Sequence, residues 1–134
     1  MALLEQSHAL AVHNEISDLT CAYQEWMEWI AEQISVITSG ELATDYNDGL
    51  YLLERHTKAK IGIEVRDHDL QQFLNLLQSA SERLSSDTLR EKTTTLRHRK
   101  EVLDESWTTR AELYKQHLDY LKWKQEISDV EAWL

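Results

Sequence analysis

The sequence predicts an all-α protein, an antiparallel three-helix bundle wound as a left-handed coiled coil. Three observations carry that prediction. The 134 residues contain no proline and three glycines, so long helices meet no obligatory breaker. Apolar residues recur at alternating steps of three and four along three long segments, which marks a helix with one buried stripe and, over heptads, a left-handed supercoil. Two short polar breaks separate the segments, as expected of consecutive helices that pack side by side in opposite directions.

The first segment spans residues 8–37. Ile16, Leu19, Tyr23, Trp26, Ile30 and Ile37 form its stripe, Trp29 flanks it, and only Gln33 interrupts it. Thr38, Ser39, Gly40 and Glu41 end the segment, with Gly40 placed to close the helix. The second segment spans 45–84 and opens at Thr44 or Asp45, either of which can accept a hydrogen bond from the first turn. Tyr46, Leu53, Ile63, Leu70, Leu74, Leu77 and Leu84 mark its buried face. Gly49 and Gly62 lie inside it, each costing about 1 kcal/mol against alanine where exposed.

Ser85, Ser86 and Asp87 make the second break, and Ser86 or Asp87 would cap the third segment, 87–121. Leu89, Leu96, Leu103, Trp107, Tyr114 and Leu121 form its stripe, widened by Val102, Leu113 and Leu118. Thr93, Thr94 and Thr95 are weak helix formers and make the early part of this helix its softest region. No stop signal follows Leu121. The spacing continues through Trp123, Ile127 and Val130 to Trp133, so the helix is expected to run on.

Bulk properties bound the function. A net charge of −10 opposes a nucleic-acid partner, which needs a basic face, and opposes general attraction to anionic membranes. Cys21 is the single cysteine, so no internal disulfide can form, and a reducing, cytoplasmic setting is expected. No apolar run approaches the roughly 18 residues of a membrane span, and the first residues lack the pattern of a signal peptide.

The chain also repeats itself. Trp29 and Trp133 lie 104 positions apart, and the residues before them align without a gap: Leu19 with Trp123, Tyr23 with Ile127, Trp26 with Val130, and Glu25 with Asp129. Self-similarity at that spacing implies an array whose unit is a whole bundle. The segment from Trp123 to Leu134, ending Glu-Ala-Trp-Leu, resembles the first-helix motif of the spectrin-repeat family, and Glu28-Trp29-Ile30-Ala31-Glu32 is the same motif in the full unit. Leu52-Leu53-Glu54-Arg55-His56, with Ile63 seven residues on, is similar to the family's second-helix opening. Leu96, Leu103 and Trp107 match its third-helix pattern.

The resemblance covers nearly the whole chain, and the order and spacing of the motifs are more specific than any motif alone. The family takes in spectrins, α-actinins, dystrophin-like proteins and plakins. The resemblance implies one repeat over 1–121, with 122–134 as the start of the next. It implies that the third-helix tryptophan packs against the first-helix one. Three positions depart from the pattern: Leu19 replaces an aromatic, Gly49 replaces an aliphatic core residue, and Trp26 adds an indole.

Candidate chemistry is sparse. Trp29, Ile30, Leu53, Ile63, Leu70, Leu96, Leu103 and Trp107 are expected as structural core. His56 has no second ligand at helical spacing and is expected as a partly buried histidine between helices. Glu5 and His8 have the spacing of a di-iron motif, but no second copy exists. Asp45 to Gly49 hints at a calcium loop, but the glycine falls one position early and His56 stands where that loop needs glutamate. Cys21 has no neighbouring base and is expected as a structural thiol.

No catalytic residue, metal or cofactor is expected. The one basic cluster, Arg97, His98, Arg99 and Lys100, is most simply a solvated face, with docking of an acidic partner as the alternative. The resemblance therefore implies a structural unit of a cytoskeletal rod, an elastic spacer and scaffold in actin-based networks. Its partners would be neighbouring repeats, with a side-by-side rod or an adaptor as further ones. The alternative is a repeat specialised for docking an adaptor or membrane-associated protein.

Overall fold

A computed structural model describes residues 2–134, with side chains from Glu5 onward. It is all-α: α1 spans Ala2–Thr38, α2 Tyr46–Arg83 and α3 Asp87–Trp133. The α1 helix begins ahead of the stripe that predicted it, and α3 is a single 47-residue helix.

Short polar residues cap the helices at both breaks. Asp45 caps α2 by accepting a hydrogen bond from the Asp48 amide at 2.8 Å, so it takes the role left open between Thr44 and Asp45. The α2–α3 connection uses Ser85 and Ser86 for both ends. Ser85 adopts a left-handed φ of 50°, its amide donates to the Glu82 carbonyl, and the Ser86 amide donates to the Ser81 carbonyl. That pair of bonds is the Schellman closure of a helix. Ser86 then caps α3, its hydroxyl accepting from the Leu89 amide at 3.2 Å. Gly40, with φ 94°, takes the left-handed conformation after α1 at no steric cost.

Each helix contributes one segment to each of two compact units. The first comprises Met1–Ala31 and His68–Glu101. Its core holds Leu19, Ile30, Leu70, Leu74, Leu77, Leu89 and Leu96, all buried. Removing one of the fully buried leucines would cost about 2–5 kcal/mol. Thr93 and Ser81 are also buried here, and each hydroxyl donates to a carbonyl of its own helix, Leu89 and Gln78 respectively. Burial therefore leaves neither hydroxyl unpaired. An Arg83–Glu15 ion pair links α2 to α1, and Arg97 donates to Gln78 between α3 and α2.

The second unit comprises Glu32–Asp67 and Val102–Leu134. Ile37, Ala43, Ile63, Leu103, Ala111, Tyr114 and Leu121 are buried in it. Here α2 and α3 run in opposite directions: Lys60 meets Trp107, whereas Gly49, earlier in α2, lies against Leu118 and Leu121, later in α3. The unusual Gly49 has a physical reason. A Cβ there would lie 2.9 Å from Leu118 Cδ1 and 3.3 Å from Leu121 Cδ1, so two leucines of α3 occupy the room an aliphatic side chain would need.

Candidate functional site

The second unit carries a set of polar contacts between elements, on a stripe that reads as apolar in outline. Leu103, Trp107, Arg110, Tyr114, His117 and Leu121 of α3 follow one another at steps of four and three. Such residues share one helix face. The apolar members were visible from the spacing. Arg110 and His117 were missed because they are polar, although their positions carry the same signal.

Both tie down the α1–α2 connection. Arg110 donates to the Gly40 carbonyl at 2.9 Å, and His117 Nε2 lies 2.7 Å from the Ala43 carbonyl, to which its N–H donates. The connection thus gains hydrogen-bond partners for carbonyls that have left the helix. Arg110 also lies over the Tyr114 ring at 4.9 Å.

His56 is the centre of this site. It is 5% exposed and stacks on Trp107 with ring centroids 4.6 Å apart and planes 6° from parallel. Tyr114 meets it edge-on at 5.3 Å. The two stacked residues exchange hydrogen bonds. His56 Nε2–H donates to the Trp107 carbonyl at 2.8 Å, and Trp107 Nε1–H donates to the His56 carbonyl at 2.9 Å. Lys60 Nζ stands 4.3 Å from the Trp107 ring. Burial pushes the His56 pKa down, with Arg110 acting in the same direction, while the bond to the Trp107 carbonyl opposes them. Neutral imidazole with hydrogen on Nε2 is the form this arrangement selects.

The other expected positions divide by exposure. Ile30, Ile63, Leu70, Leu96 and Leu103 are buried, whereas Trp29, Leu53 and Trp107 are half-buried. Trp26 meets Trp29 edge-on at 5.6 Å. In the basic cluster Arg97 and His98 are exposed, and Arg99 and Lys100 are half-buried. Arg97 is engaged by Gln78, so the four do not present a uniform cationic face. Cys21 is exposed, not packed as a structural thiol would be, because it falls outside the Ile16–Leu19–Tyr23 stripe.

Glu5 and His8 are both exposed, and no group of three or more His, Cys, Asp or Glu suited to a metal occurs among the described residues. No helix among them is long and apolar enough to cross a membrane.

Beyond Leu121 every residue of α3 is exposed. Trp123, Ile127, Val130 and Trp133 nevertheless continue the apolar spacing there, with Trp133 at 90% exposure. An amphipathic helix carries such a stripe to bury it against another element.

A three-helix bundle with these motifs in this order defines a class, and the chain belongs to the spectrin-repeat family. It is 31% identical over 126 residues to the erythrocytic spectrin alpha chain 1 of Mus musculus, an alignment that spans 91% of this chain. The chain spans about 5% of the length of that curated relative. No protein-family model matches the chain.

Proposed function

We propose that the chain is a structural unit of a cytoskeletal rod: one repeat over residues 1–121, followed by the start of the first helix of the next repeat at 122–134. The observation that carries this reading is α3. It runs unbroken from Asp87 to Trp133, past its last buried residue, Leu121, and keeps its apolar spacing where its residues are exposed. A following bundle would supply the missing cover. The similarity of Trp29 to Trp133 supports the same reading, since successive units would repeat equivalent residues at a fixed spacing.

The role is mechanical and not catalytic. A helix shared between units couples them, so bending or unfolding of one is felt by the next, as in other stacked arrays. The rod would act as an elastic spacer and scaffold in an actin-based network at the cytoplasmic cell cortex, with neighbouring repeats as its first partners. The alternative, a docking module at Arg97 to Lys100, has less support because that cluster is partly engaged and partly buried.

A two-repeat protein tests the coupling. Its thermal unfolding should be one transition, at a temperature above that of either repeat alone. Two independent transitions at the single-repeat temperatures would refute a load-coupling role.

A further inference from the structure

We propose that the pairing of His56 with Trp107 is a proton-sensitive clasp between α2 and α3, which weakens in mildly acidic solution and releases the second unit while the first stays closed.

The argument starts from placement. A histidine at 5% exposure holds one ring nitrogen on a backbone carbonyl and one ring face on an indole. The charged groups around it are cations. From its own helix come Arg55, Lys58 and Lys60; from α3 comes Arg110, beside the tyrosine that meets His56 edge-on. From α1 come Val36 and Ile37. The groove beside His56, about 310 Å³, is lined by Val36, Ile37, Leu52, Arg55, Lys58, Ala59 and Tyr114, none of them a carboxylate. Glu54, two residues before His56, is paired with Lys58. A proton added to His56 therefore places a further positive charge in a buried site that offers no anion.

The hydrogen bond to Trp107 survives protonation and favours it, but burial is the larger influence, and Arg110 adds to it. His56 in the folded chain thus titrates below its ordinary value of 6.5. The unfolded chain binds the proton more readily. The stability contributed here is complete above about pH 6.5 and shrinks as pH falls toward the folded-state value. One such proton raises the local opening constant by up to about tenfold between pH 7.5 and 5.5. Among the described residues the first unit shows no counterpart, because its buried polar residues, Ser81 and Thr93, do not titrate in this range.

Amide hydrogen exchange at pH 7.5 and 5.5, corrected for intrinsic rates, reads the opening of each unit. The expected result is acceleration of more than twofold, below the tenfold ceiling, for residues 53–60 and 104–114, with residues 70–80 and 89–97 changing less than twofold. His56→Gln keeps an N–H donor but cannot titrate, and should abolish the difference. Equal acceleration in both units, or an unchanged difference in His56→Gln, overturns the proposal. Should that variant not fold, the ring titration of His56 in the native chain by NMR decides. A midpoint below 6.5 supports the clasp, and one at or above 6.5 overturns it.

Discussion

Replacing His56 and Trp107 by leucine, singly and together, separates two kinds of interaction that the clasp combines. Each hydrogen bond runs from one residue's side chain to the other's backbone. The bond from His56 is lost when His56 is replaced but survives replacement of Trp107, and the converse holds for the indole bond. Both carbonyls also lie within helices, so neither is orphaned in the variants. Each single substitution should remove one hydrogen bond, about 0.5–1.5 kcal/mol, together with part of the ring packing. A total near 1.5–3 kcal/mol is expected for each. The only term that needs both side chains is the stack at 4.6 Å. The coupling energy should therefore be about 0.5–1.5 kcal/mol, the range of an aromatic pair, and not the sum of stack and two hydrogen bonds. Urea unfolding followed by circular dichroism at a common slope measures all four corners of the cycle. Additivity within about 0.3 kcal/mol would show that the rings are merely adjacent, and the reasoning would be wrong.

Three further predictions concern the helix ends and glycines. Ser85→Gly should stabilise the chain by about 0.5–1 kcal/mol, because glycine accepts the left-handed φ that serine holds at a cost; an unchanged melting midpoint would contradict this. Ser86→Ala should lose about 1 kcal/mol in the same denaturation assay, since the hydroxyl that caps α3 disappears. Gly62 and Gly49 should respond oppositely. A Cβ at Gly62 meets nothing within 4 Å, so Gly62→Ala should gain about 0.5–1 kcal/mol, whereas Gly49→Leu should cost about 1–3 kcal/mol by crowding Leu118 and Leu121. Equal effects at the two sites would remove the packing explanation for Gly49.

The contrast between those glycines shows where sequence reasoning stops. Both lie inside the same continuous helix, and the family pattern marks Gly49 as unusual without giving its reason. Only the approach of α3 makes one of them necessary. Arg110 and His117 make the same point from the polar side. They occupy stripe positions, but whether a polar residue there faces a carbonyl or water depends on the α1–α2 connection, some 70 residues away in the chain.

The sequence by itself determined the three helices, their two breaks and the family, because these depend on local patterns: absence of proline, a three-four apolar spacing, and Ser, Asp or Gly at the ends. It also marked α3 as continuing past Leu121. Tertiary structure alone decided that Asp45 and Ser86 are the caps in use, that Cys21 is exposed, and that His56 stacks on Trp107. A periodic pattern says which face of a helix is to be covered. Which residue covers it, and with what charge, is set by the register between helices, and that register sums contacts between residues far apart in the chain.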